Sequence, residues 1–106
     1  MFRQGDVFIM RAPKGVLSAQ EIPRDPEGRV VLAYGEVTGH AHAITEPGAA
    51  LYTLAEAGDD LSRLLRLELP AVLRHEEHSP IHIPAGDWIV RRQREYSPEG
   101  ERQVAD

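Results

Sequence analysis

Short apolar runs, separated by glycine and proline, set the rhythm of this chain. "DVFIM" (6–10), "RVVLAYG" (29–35), "AALYTL" (49–54), "AVLRH" (71–75), "IHI" (81–83) and "WIVRRQREY" (88–96) are rich in β-branched or aromatic residues and stop at turn signals, which predicts strands. Residues 11–28 hold Pro13, Gly15, Pro23, Pro26 and Gly28 and predict a loop. "AEAGDD" (55–60), with Asp59 and Asp60, predicts a second, solvated loop. "LSRLLRLEL" (61–69) reads two ways: its leucines fit a helical stripe, yet Leu65, Leu67 and Leu69 alternate with Arg66 and Glu68.

Many short strands with at most one short helix near 61–69 indicate an all-β domain, a small barrel or a β-sandwich. The expected domain spans 1–97, and 98–106 is expected to be a polar C-terminal tail that frays. Val7, Ile9, Val30, Leu32, Leu67, Ile81, Ile83 and Ile89 are the expected core, with Trp88 packed behind the "PAGD" turn.

Composition narrows the classes. The 106 residues are 42% hydrophobic and 27% charged, the balance of one globular domain rather than a disordered chain. A formal net charge of −5 argues against a bulk electrostatic grip on nucleic acid or on an anionic membrane. Arg91, Arg92, Arg94 and Tyr96 could grip phosphates and stack bases, but a solvated edge strand, protected by charge from aggregation, is the expected reading. There is no cysteine, which excludes disulfides, thiolate-bound zinc and cysteine nucleophiles and leaves nitrogen and oxygen as metal ligands. No P-loop, G-x-S-x-G or G-x-G-x-x-G is present. The N-terminus lacks an apolar signal region and no run reaches membrane-spanning length, so a soluble cytoplasmic protein is expected.

The chemistry lies in the histidines. All five fall in two clusters, "GHAHAI" (39–44) and "HEEHSPIH" (75–82). On a strand, His40, His42, Ile44 and Glu46 share a face, and Ile44 suggests that this face is the inner one. Two imidazoles at i and i+2 can converge on one metal ion, and Glu46 could add a carboxylate. In the second cluster Ile81 and Ile83 would turn His82 outward. The third ligand is then His78 or His75, while Glu76 and Glu77 either orient an imidazole or are simply solvated. The competing reading is that these are hydrogen-bonded core histidines.

"GHAHAITE" resembles the first motif of the cupin superfamily, H-x-H followed by three or four residues and Glu; His40, His42 and Glu46 stand at those positions. "PAG" (84–86) resembles the turn of the second cupin motif. The histidine that should follow this turn is replaced by Ile89, and the glycine expected after Glu46 is Thr53. The resemblance covers roughly 35–90 and implies a cupin-like barrel with a rearranged ligand set. The whole chain also looks like small bacterial and phage proteins, a likeness that implies no activity.

Three readings follow. One is a mononuclear enzyme acting on a small molecule, with a divalent Zn, Fe, Mn or Ni ion held by His40, His42, His75 or His78 and Glu46, and an open position for water or substrate. Another is a non-catalytic interaction or ligand-binding module whose metal is structural or absent. The third is a pH-responsive histidine cluster. The long strand 88–96 suggests pairing into a homodimer.

Overall fold

The computed structural model describes residues 1–35, 38–56, 62–92, 94–97 and 100–103, the last two stretches as backbone only. Among the described residues the chain is all-β, without a helix. Its strands are β1 (Phe2–Gln4), β2 (Val7–Arg11), β3 (Ser18–Ile22), β4 (Val30–Tyr34), β5 (Ala41–Ile44), β6 (Ala49–Leu54), β7 (Arg63–Leu67), β8 (Ala71–Leu73), β9 (Ile81–Ile83), β10 (Gly86–Arg92), β11 (Arg94–Ser97) and β12 (Gly100–Gln103).

Six of them form one antiparallel sheet in the order β1-β2-β10-β7-β6-β3. The pairs β4–β5 and β8–β9 are joined by reciprocal backbone hydrogen bonds between Ala43 and Arg74, both 2.9 Å, which makes a second layer. Val7, Ile9, Val30, Leu32, Ile44, Leu51, Leu65, Leu67, Leu73, Ile83 and Val90 fill the space between them, the hydrophobic term that drives such a fold.

Side chains close the seams that backbone pairing leaves open. Arg63 and Arg92 donate to the carbonyls of Leu32 and Tyr34 along β4, and burial, reinforced by the Arg92 charge, lowers the pKa of Arg63. On the opposite side Gln4 donates to the carbonyls of Leu73 and Ser79, each at 3.0 Å. Arg24 gathers the carbonyls of Glu46 and Ala49 at a corner. The turn 84–86 is fixed by Trp88, whose indole N–H donates to Pro84 O at 3.1 Å. Glycine suits position 86, whose φ of 134° residues with a side chain rarely adopt; beside it the Arg11 guanidinium lies over the Trp88 ring.

Of the two readings of 61–69 the alternating one holds: Arg63–Leu67 form the strand β7, and period-2 alternation places Leu65 and Leu67 between the sheets. Other expectations need correction. The supposed loop 11–28 contains β3, whose five residues lie between Pro13 and Pro23, so the breakers bracket a strand instead of interrupting it. Within the 88–96 run, residues 88–92 are not a solvated edge: β10 pairs with β2 on one side and β7 on the other. Arg91 and Arg92 accordingly serve Ser62 and Asp6, while the side chains of Arg94 and Tyr96 lie outside the described residues. The polar tail contributes β12, which folds back on β11 from Gly100. Asp59 and Asp60 lie outside the described residues. No helix of the described residues is long and apolar enough to cross a membrane.

Candidate metal centre

The second layer brings the two histidine clusters together because β5 and the chain leaving β8 run side by side through the Ala43–Arg74 bridge. Counting outward from that bridge places Ala41 opposite Glu76. Glu76 Oε1 accepts the Ala41 backbone N–H at 2.9 Å, and that hydrogen bond is the main reason its carboxyl pKa is lowered. At the other end of the seam Glu46 Oε2 accepts the Val72 backbone N–H at 2.8 Å. Two glutamates thus extend a short backbone ladder at both ends.

Four imidazoles collect beside it, with His75 in the middle. Its ring centroid lies 4.3 Å from that of His42, 4.7 Å from His78 and 5.7 Å from His40. His40, His75 and Glu76 each present a donor atom within 4.8 Å of the other two, a spacing suited to a shared metal ion. His40 Nδ1, His75 Nε2 and His78 Nε2 are buried nitrogens with no hydrogen-bond partner, which is costly unless a ligand satisfies them.

The predicted ligands therefore separate. His40 and His75 meet, and Glu76 joins them in place of Glu46, whose carboxylate holds Val72 at the far end of the seam. His42 packs on His75 but lies outside the triad, held from both sides. Its Nδ1 is 2.9 Å from Gln4 Oε1 and its Nε2 is 3.7 Å from Asp6 Oδ1, with both residues fully buried. Asp6 is in turn paired with Arg92 at 2.6 Å. His78 stacks on His42 at 5.7 Å. His82 is exposed, as its neighbours Ile81 and Ile83 lead one to expect.

Gln4, Asp6 and the approach of Glu76 to His40 were not legible in the sequence. Gln4 and Asp6 meet His42 across 38 and 36 positions of sequence, so no local spacing could reveal them. Adjacency to His75 was the only signal for Glu76.

Hydrogen bonding also assigns protons. Both Gln4 amide donors go to carbonyls, so its Oε1 accepts and His42 Nδ1 carries the hydrogen. In the neutral ring His42 Nε2 is then the basic nitrogen. His75 is the reverse: the Glu77 backbone N–H donates to its Nδ1 at 3.0 Å, so the neutral ring carries its proton on Nε2.

Glu76 and His75 border a cleft of about 340 Å³ on the outer face of the second layer. Ala41 and Ala43 form its floor, since β5 presents small residues there. Comparison with curated proteins and with solved structures finds no match to this chain. A family model does match, over residues 3–93, and it is not that of a cupin. Since it spans most of the chain, the protein belongs to the family described as Domain of unknown function (DUF8820).

Proposed function

We propose that this domain binds one divalent transition-metal ion, Zn²⁺, Fe²⁺, Mn²⁺ or Ni²⁺, through His40, His75 and Glu76, and presents it to a small molecule in the adjoining cleft. The convergence of three donor groups within 4.8 Å carries the reading. Two buried nitrogens without a hydrogen bond support it, His75 Nε2 and His40 Nδ1, the latter 3.9 Å from Glu77 Oε1. Two imidazoles and a carboxylate suit all four ions. Three protein ligands leave coordination positions for water or a ligand, which favours a working metal over a closed structural one.

From the cupin resemblance this reading keeps a histidine-held metal in a small β domain, and it exchanges Glu46 for Glu76. His42 and His78 stand behind the ligands, where their rings pack against His75 and limit its orientation. His75 is the ligand that must rearrange, because its Nδ1 is engaged by the Glu77 amide.

Metal content after purification without a histidine tag, followed by incubation with each of the four ions, tests the proposal. About one ion per chain is expected in the wild type and in His82→Ala. The His40→Ala and Glu76→Ala variants should lose affinity by more than the 10–100-fold typical of removing an outer partner. The Glu46→Ala variant should keep its metal and lose stability. No bound metal under any of these conditions would overturn the proposal and leave a metal-free histidine cluster.

A further inference from the structure

We infer that the cleft beside this centre takes a small organic carboxylate, held at one end by Arg74. The inference rests on the metal reading for the ligand's other end. Its foundation is the pairing of the arginines. Among the described residues, Arg3, Arg11, Arg24, Arg29, Arg63, Arg66, Arg91 and Arg92 each hold a carbonyl, a carboxylate, a hydroxyl or an aromatic ring. Arg74 lines the cleft and its guanidinium has no such partner among them.

The backbone places it there. Arg74 lies directly opposite Ala43, and residues opposite one another across two strands stand on the same face. Leu73, its neighbour, points into the core, so Arg74 rises on the outer face beside Ala41, Ala43 and Thr45. Arg29, across the cleft, is already neutralised by Asp25 and Glu27 at 2.8 and 3.1 Å. The exposed Arg74 guanidinium thus stands over an alanine floor, in a cleft also lined by Glu76, which the metal would engage.

This arrangement selects chemistry. A guanidinium is a planar fork that matches a carboxylate with two parallel hydrogen bonds. The floor favours a short apolar body. At about 340 Å³ the cleft is at the small end of ligand sites. A second oxygen donor on the same molecule would reach the metal at His75 and Glu76. The class is therefore a small dicarboxylate or hydroxy acid.

Malonate is a suitable probe, titrated calorimetrically into metal-loaded and metal-free protein, with propane-1,3-diol as its uncharged counterpart. Malonate should bind the wild type and the diol should not. Arg74→Gln should weaken malonate binding about tenfold or more, the equivalent of one charge-assisted hydrogen bond, with metal content unchanged. Lys14→Gln, which removes a positive charge elsewhere, should bind as the wild type does. If the chain proves to hold no metal, Arg74-dependent binding to the metal-free protein still supports the cleft assignment. Equal binding by Arg74→Gln and wild type, binding of the diol as tight as that of malonate, or no malonate binding to either form, would overturn it.

Discussion

Gln4 and His42 are bound to one another in the protein's interior, Oε1 to Nδ1 at 2.9 Å, both fully buried. The same glutamine spends both amide hydrogens on the carbonyls of Leu73 and Ser79. One side chain from β1 thereby ties down β8, the segment before β9 and an imidazole of β5. A methionine of similar shape would strand two carbonyls and one N–H. Unsatisfied buried groups cost about 1–3 kcal/mol each, and some will find water. The Gln4→Met variant should therefore lose about 2–4 kcal/mol of unfolding free energy, measurable by urea denaturation. A loss below about 0.5 kcal/mol would show that this junction is not structural.

Asp6 and Arg92 form a second cross-chain tie. Asp6 is 1% exposed and its Oδ2 lies 2.6 Å from Arg92 Nε, while Arg92 Nη2 reaches Tyr34 O at 2.7 Å. Removing one member of such a pair strands the other charge, at about 3–5 kcal/mol. Asp6→Ala should show this loss. The double variant Asp6→Ala/Arg92→Met should be less destabilised than the sum of the two single changes, since neither charge is left behind. Strict additivity in a double-mutant cycle would mean that the two side chains do not act together.

Parity along strands made most of the fold legible. Val7 and Ile9, Val30 and Leu32, and Leu67 and Ile83 alternate with less buried residues and all reach the core. Ile89 is buried at 7% but lies outside the core cluster that holds its neighbours Trp88 and Val90. Parity along β10 therefore puts it on the other side of the sheet, and sequence alone does not say that both faces of a strand are covered. The histidine clusters were visible for the same reason as the strands, through spacing. Which glutamate lies nearest the histidines was not, because H-x-H followed by Glu does not say where that carboxylate goes once the strands assemble. That choice depends on β8 lying beside β5, which gives Glu46 the amide of Val72 and Glu76 that of Ala41.

Acid should loosen the corner at 25–29. Asp25 Oδ1 accepts the backbone N–H groups of Glu27 and Arg29, and its Oδ2 faces the Arg29 guanidinium. These contacts, the Arg29 backbone N–H foremost, hold its carboxyl pKa below the ordinary 3.8. A depressed native pKa means that the unfolded chain binds the proton more readily. The contribution is complete above the unfolded value and disappears as pH falls through the native one. The Asp25→Asn variant should therefore be less stable than wild type at pH 6, with the difference shrinking below about pH 3.8. Thermal melts across that range check the sign; a gap that widened in acid would contradict it.

Metal loading should release the Glu77 amide. In the structure this N–H donates to His75 Nδ1 at 3.0 Å. Ligation through Nε2 obliges the neutral ring to carry its hydrogen on Nδ1, where it can no longer accept. Ligation through Nδ1 uses that same lone pair for the metal. Both routes end the hydrogen bond, so the outcome does not depend on which nitrogen binds. The amide of Ala41 is held by Glu76 Oε1 and can stay bonded, because a carboxylate has lone pairs for both the metal and the N–H. On adding Zn²⁺, amide hydrogen exchange at Glu77 should accelerate while that of Ala43, paired with Arg74, stays slow. His40→Ala should abolish the change at the same Zn²⁺ concentration. If metal binds with Glu77 still protected, His75 is not a ligand, and the ion must sit on the other imidazoles.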